Sequence, residues 1–287
     1  MRCAAIDLGT NSCRLLIAEI KDGKLFSVLR DLQTTRLGEN LIQTGKISKA
    51  AIDRTCVALN SFKKAIEDNN VASYRAIATS AVREAENQKE FIDTVLNKCG
   101  IKVEVITGEK EAFLSYLGVE KGLKLQNKPM VVDLGGGSTE FILGKDFMIS
   151  LPLGAVRATE ADMNRKEMRD ILKPLIDSGI NFKPHPLVCV GGTATTLVAI
   201  KLKLKEYSYS LVHGQLLTYE DIAEIYELLA SLPLEERKKL PGLQPARADI
   251  IPKGVLAVLV IMEILNKDKI VVSESDLMEG IIWEMAN

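Results

Sequence analysis

The sequence predicts an α/β protein of two related domains, each built on a mixed sheet. The first sign is an internal echo: Ala4-Ala5-Ile6-Asp7-Leu8-Gly9-Thr10-Asn11-Ser12 recurs as Met130-Val131-Val132-Asp133-Leu134-Gly135-Gly136-Gly137-Ser138-Thr139. Each copy is an apolar run ending in Asp, then a small-residue turn, then a second apolar run (Arg14 to Ile20; Glu140 to Leu143), which reads as strand, turn, strand. The second sign is the order that follows. Strand-like runs at Tyr74 to Ala78 and Val103 to Ile106 are interleaved with helical periodicity at Lys49 to Asp68, Gln88 to Lys98 and Glu109 to Val119. The second half repeats the scheme, with a helix near Glu160 to Asp177, a strand at Leu187 to Val190, and helices at Thr193 to Lys203, Tyr219 to Ala230, Ala248 to Asn266 and Leu277 to Met285. The third sign is composition: 47% hydrophobic and 26% charged residues, with 20 Gly and 9 Pro, is the profile of a folded α/β chain. The polar, glycine-containing stretch Gly118 to Lys128 sets the boundary near residue 122, giving domains 1–122 and 123–287.

A net charge of −1 supplies no global positive field for nucleic acid or an anionic membrane, so an anionic ligand must be caught locally. The cysteines Cys3, Cys13, Cys56, Cys99 and Cys189 are scattered, odd in number and lack C-x-x-C spacing, which argues against disulfides or zinc and for a reducing cytoplasm. No targeting or anchoring segment is visible, and the longest apolar run, Val255 to Met262, is far short of a membrane span. The apolar stretch Val255 to Leu265 suits either a core or a homodimer seam.

Three turns have the residues for phosphate binding. In Gly9, Thr10, Asn11 and Ser12 the glycine lets backbone N–H groups approach an anion and the hydroxyls add donors, while Asp7 at the strand end suits Mg²⁺ held through water. An ordinary hairpin turn uses the same residues. The second copy, Asp133 with Gly135, Gly136, Gly137, Ser138 and Thr139, is sharper, because three glycines are costly in backbone entropy unless something must approach closely. A dinucleotide turn fits poorly here, since Glu140-Phe141-Ile142-Leu143 continues as a strand and offers no helix N-terminus. The third turn, Gly191-Gly192-Thr193, leads into a helix, whose positive end and free N–H groups attract an anion or need only a cap.

Glu109 and Glu111 open the helix after the Val103 strand; either favours the helix N-terminus, and either could orient an attacking water. Arg83 lies in the donor-rich turn Ala78 to Ala85, beside Glu84. His185 and His213 are too few and too separated for a histidine metal cluster. Lys201, Lys203, Lys205 and Arg237-Lys238-Lys239 read as solvated helix faces, or as the fringe of an anion channel.

Taken in order, Asp7 to Ser12, Ala78 to Ala85, Gly108-Glu109-Lys110-Glu111-Ala112, Asp133 to Glu140, Gly191-Gly192-Thr193, His213-Gly214, Arg247-Ala248-Asp249 and Glu279-Gly280 make the chain resemble the exopolyphosphatase and guanosine pentaphosphate phosphohydrolase family of the actin-like ATPase superfamily. The resemblance covers essentially the whole chain. It implies two actin-like (ribonuclease H-like) domains with an interdomain cleft, Mg²⁺ as cofactor, and polyphosphate or guanosine penta- or tetraphosphate as ligand. It also implies that Glu111 activates water, Arg83 clamps phosphates, Asp133 and Glu140 organise Mg²⁺ with Asp7 nearby, and the glycine loops cradle the terminal phosphoryl groups. The first loop carries Thr10 and Cys13 where a serine and a phenylalanine are usual.

The leading expectation is therefore hydrolysis of the terminal phosphoanhydride of polyphosphate, with guanosine pentaphosphate as alternative or additional substrate. An actin-like kinase would need adenine and acceptor sites, for which no signature is present. A non-catalytic alarmone or phosphate sensor would keep the cradle without needing Glu111, Asp133 and Glu140 together.

Overall fold

A computed structural model describes residues 2–286. The chain divides into two units, one of residues 2–118 with 277–286, the other of residues 119–276. The position near 122 falls at the end of one continuous helix, Gly108–Gly122, which begins in the first unit and runs into the second.

The first unit holds β1 (Arg2–Leu8), β2 (Cys13–Lys21), β3 (Lys24–Gln33), β4 (Ser73–Ala78) and β5 (Val103–Val105), in the order β3-β2-β1-β4-β5. β1, β2 and β3 form an antiparallel meander, and β1, β4 and β5 run parallel. β1 reads as an unbroken apolar run because it is buried on both faces. Ala4, Ile6 and Leu8 join the core beneath the helices Lys49–Asp68 and Gln88–Cys99, while Cys3 and Ala5 join a smaller core with Leu114, Leu277, Met278, Ile281 and Ile282. That second core explains why the last helix, Leu277–Ala286, belongs to the first unit despite its place in the sequence.

The second unit holds β6 (Met130–Leu134), β7 (Thr139–Leu143), β8 (Phe147–Leu151), β9 (Leu187–Val190), β10 (Leu216–Thr218) and β11 (Lys269–Val272), in the order β10-β11-β9-β6-β7-β8. Read from β8, it repeats the first sheet: a meander, then β6, β9 and β11 parallel, with β10 added antiparallel at the edge. These are two actin-like, ribonuclease H-like sheets, as the internal echo requires. The helix Ile251–Ile264 is core: every residue from Val255 to Met262 is buried within its own unit, so this stretch offers no dimer seam.

The expected single helix Glu160 to Asp177 is three pieces, Ala155–Glu160, Arg165–Ile171 and Lys173–Asp177. Asp162 takes a left-handed φ of 47°, Asn164 starts a new helix with a capping box to Glu167, and Pro174 starts another. Among the described residues no helix is long and apolar enough to cross a membrane.

The C-terminal helix is fastened by charge as well as packing. Glu284 accepts from Arg75 at 2.6 Å and pairs with Lys110. Burial alone would raise its carboxyl, but these two cations outweigh burial and hold it below the usual carboxylate range. A depressed folded pKa stabilises fully above the unfolded value, about 4.3, and that contribution is lost as pH falls through the folded value. Glu284→Gln is therefore expected to cost stability near neutral pH and to flatten the acid limb of the melting-temperature profile, as thermal denaturation from pH 7 to pH 3 would register.

Candidate active site

In the first unit the loop Gly9–Ser12 joins β1 to β2 and closes on itself through Gly9 N donating to Ser12 O at 3.1 Å. Two carbonyls of the loop face the segment after β3: Thr10 O accepts from Gly38 N and Asn11 O from Arg36 N, each at 2.8 Å. In a planar trans peptide the next N–H points opposite to the carbonyl, so the N–H groups of Asn11 and Ser12 face away from that support. Asn11 Nδ2 is a buried donor with no hydrogen-bond partner, which an anion's oxygens would satisfy.

Asp7 stands opposite Arg14 in the β1–β2 register. Its Oδ2 accepts from Arg14 Nε at 2.9 Å and is 2.7 Å from Nη2, so the carboxylate is compensated within its own hairpin. Glu111 is buried at the start of helix Gly108–Gly122, and its Oε2 accepts from Arg83 Nη1 at 2.9 Å. The same nitrogen also donates to Ile106 O at 3.0 Å. Arg83 thus orients Glu111 in this structure, a role the sequence reading did not give it. Glu109 differs: it is exposed, and bonds to its own backbone N–H and to the Thr107 hydroxyl hold its carboxyl below the usual range, as suits an acid in the first turn of a helix that Thr107 caps by accepting from Lys110 N.

In the second unit the corresponding hairpin carries Asp133 opposite Glu140, the place Arg14 takes in the first. A neutral Asp–Arg pair in one hairpin becomes two acids in the other. Both are buried, Glu140 at 1% exposure, and Glu140 Oε1 accepts from Ser150 Oγ at 2.7 Å. The loop between them repeats the stereochemistry of the first. Gly135 O accepts from Ala155 N, Gly136 O from Val156 N and Arg157 N, and Gly137 O from Arg157 Nε. The N–H groups of Gly136, Gly137 and Ser138 consequently face away from residues 155–157. Thr139 Oγ1 is directed elsewhere, donating to Leu153 O.

The turn after β9 meets the same aspartate. A Cβ on Gly191, which has φ 90°, would stand 2.7 Å from Leu134 O and 3.3 Å from Asp133 Oδ1. Gly192 opens the helix Gly192–Lys201, and the Arg247 guanidinium fills the space its side chain would need. A guanidinium at the positive end of a helix makes a strongly anion-attracting corner. Gly191, Gly192, Asp133 and Arg247 thus meet at one place in the second unit.

A protein-family model, described as the Ppx/GppA phosphatase family, matches residues 16–287. The chain belongs to this family. Among relatives of this Ppx/GppA chain, exopolyphosphatase 2 of Mycobacterium tuberculosis is 32% identical over 99% of the chain and 98% of its own length. A bifunctional 3-dehydroquinate synthase/phosphatase of Fusobacterium nucleatum is 34% identical over 98% of the chain, which spans only 46% of that longer protein. The crystal structure of the Aquifex aeolicus Ppx/GppA family member has a TM-score of 0.81 and 37% identity, covering 100% of this chain and 97% of that one.

Other polar groups of the Ppx/GppA chain are committed elsewhere. Arg237 donates to the carbonyls of Leu229, Leu232 and Ala248, while Lys201, Lys238 and Lys239 pair with Asp221, Glu235 and Glu236. Arg237 is therefore a backbone clamp, not the solvated face its sequence context predicted. His213 bridges Gly122 O and Glu274 N, both in the second unit. Burial pushes the Cys13 and Cys189 thiols up to about 12, which removes them as thiolate nucleophiles near neutral pH. Arg14, Arg247 and Ser150 were missed as site residues from sequence. Arg14 was detectable, since aligning the two copies sets it against Glu140.

Proposed function

We propose that the protein hydrolyses the terminal phosphoanhydride of inorganic polyphosphate with Mg²⁺, and that guanosine pentaphosphate is the alternative substrate of the same site. The observation that carries this reading is the pairing, in one hairpin, of a loop presenting three N–H groups with two buried carboxylates at its base. Donors alone would suit a bare anion, and acids alone a bare cation. Together they suit a phosphate chain that arrives with its metal.

The donor set fits Mg²⁺. Asp133 and Glu140 are hard oxygen ligands, and Ser150 would orient Glu140 from behind. Among the described residues no group of three or more His, Cys, Asp or Glu stands ready to hold a metal, and a Mg²⁺ site commonly takes one or two carboxylates, with water and phosphate completing the shell. Asp7, already paired with Arg14, holds that arginine in place in this reading. When bound, the ion would neutralise charge on the phosphate oxygens.

The chain's own residues do the rest. Glu111 Oε2, held by Arg83, takes a proton from or aligns the attacking water, and the N–H groups of Gly136, Gly137 and Ser138 bind the transferred phosphoryl oxygens where charge is greatest. Arg247 with the Gly192 helix end would hold a further phosphate. The relatives named exopolyphosphatase support polyphosphate, while a relative from Vibrio atlanticus named guanosine-5'-triphosphate,3'-diphosphate pyrophosphatase, 28% identical and matched over 59% of its own length, supports the nucleotide.

The test is phosphate release from tripolyphosphate, long-chain polyphosphate and guanosine pentaphosphate, each with Mg²⁺ and with excess chelator. Mg²⁺-dependent release from at least one is expected. Tight binding of guanosine tetraphosphate with no turnover of any of the three would replace the enzyme by a sensor.

A further inference from the structure

The cradle in the second unit is shaped from behind. Four donors from three consecutive residues fix its carbonyls: Ala155 N on Gly135 O at 3.0 Å, Val156 N and Arg157 N on Gly136 O at 2.8 and 3.1 Å, and Arg157 Nε on Gly137 O at 2.6 Å. This spends the first N–H groups of helix Ala155–Glu160 on the loop, so that helix end does not receive the anion itself. Gly154 is what lets the two segments meet. A Cβ there would fall inside contact distance of Gly136 C and O and Gly137 N, rigid backbone that cannot step aside without rotating the peptides it orients.

The first unit solves the problem in the same way. Gly38 N and Arg36 N hold Thr10 O and Asn11 O, and a Cβ on Gly38 would overlap Thr10 Cγ2. Leu37-Gly38 after β3 and Leu153-Gly154 after β8 thus form a second internal echo, with both leucines fully buried. In each pair the leucine packs into the core of its own unit and the glycine lets the segment lie against the loop.

We propose that Gly154 and Arg157 are positioning residues for phosphate binding, which lock the Gly135–Ser138 loop with its N–H groups presented. Arg157 acts through the Gly137 carbonyl and not by touching phosphate. The proposal rests on reading that loop as a phosphate cradle. A misplacement of the cradle by an ångström or less is enough to matter, because preorganised donors lose most of their value when they must be reoriented by the ligand.

The experiment uses the full-length protein labelled with ¹⁵N-glycine, titrated with inorganic phosphate in the presence of Mg²⁺, comparing native, Arg157→Gln, Arg157→Lys and Gly154→Ala. In the native protein the Gly136 and Gly137 amide signals should shift and saturate. Arg157→Gln should move the Gly137 amide before any phosphate is added and raise the phosphate concentration needed for half-saturation by about tenfold or more. KM for tripolyphosphate should rise in parallel with a smaller fall in kcat, and Arg157→Lys, which keeps a donor, should recover part of the loss. Gly154→Ala should reproduce the defect; if it does not fold, Arg157→Gln decides alone. Native-like amide positions, phosphate response and KM in Arg157→Gln would overturn the positioning role while leaving the cradle intact. Absence of any phosphate-induced shift in the native protein would remove the cradle and the positioning role together.

Discussion

Glu111→Gln is expected to lower kcat for phosphate release by about a hundredfold to ten-thousandfold, the range lost when a general base is removed. The substitution preserves shape, so the buried pocket at the start of helix Gly108–Gly122 stays filled and one oxygen remains to accept from Arg83. What disappears is the negative oxygen that can take a proton from water. KM should stay near native, because Glu111 is asked to act on the nucleophile and not to hold the phosphate chain. The neighbouring Glu109→Gln is the matched control. Glu109 is exposed and only complements the positive end of the helix, so its replacement should leave turnover within about twofold and cost at most about 1 kcal/mol of stability. Steady-state kinetics on the two variants, with circular dichroism to show that both are folded, check the assignment. Equal losses in both would mean that the helix end, and not one carboxylate, is what matters.

The second large effect concerns the metal. Glu140→Gln removes one of the two acids facing each other across the β6–β7 hairpin and is expected to raise the Mg²⁺ concentration for half-maximal activity by more than tenfold. Ser150→Ala should do the same more weakly, on the order of tenfold, because it removes only the hydroxyl that holds Glu140 Oε1 at 2.7 Å. Asp7→Asn should behave differently. Its carboxylate neutralises Arg14 in the other hairpin, so its loss should leave the Mg²⁺ requirement nearly unchanged and raise KM by freeing that arginine. Titrating Mg²⁺ at fixed tripolyphosphate separates the three variants. A Mg²⁺ requirement that follows Asp7 and not Glu140 would relocate the metal.

The sequence made the hairpins legible because an apolar run ending in Asp, followed by small residues, has few other meanings when it occurs twice. Burial of β1 and β6 on both faces wrote them as unbroken apolar runs, which are easy to see. β3 escaped notice for the opposite reason: it is an edge strand carrying Lys24, Arg30 and Asp31, and a register shift between its partners Ile17 and Ala18 breaks the alternation that would have betrayed it. β10 and β11, at three and four residues, are too short to show a period.

In the site, the residue types were legible and their partners were not. Asp7 and Asp133 look equivalent in sequence, and only the register shows that one faces Arg14 and the other Glu140. Arg83 offered a cation to phosphate from its turn, and only the fold sets it against Glu111. Gly154 and Gly38 recur only as part of a two-residue Leu-Gly pair, too short to stand out before the fold is known, because what each must avoid is backbone or side chain more than fifteen residues away.

Hydrolysis in ¹⁸O-enriched water tests the central claim most directly. If water aligned by Glu111 attacks the terminal phosphorus of tripolyphosphate, ³¹P spectroscopy of a single turnover should show one solvent oxygen in the released phosphate and none in the pyrophosphate left behind. Label in the pyrophosphate, or the same labelled phosphate formed at native rate by Glu111→Gln, would contradict the account.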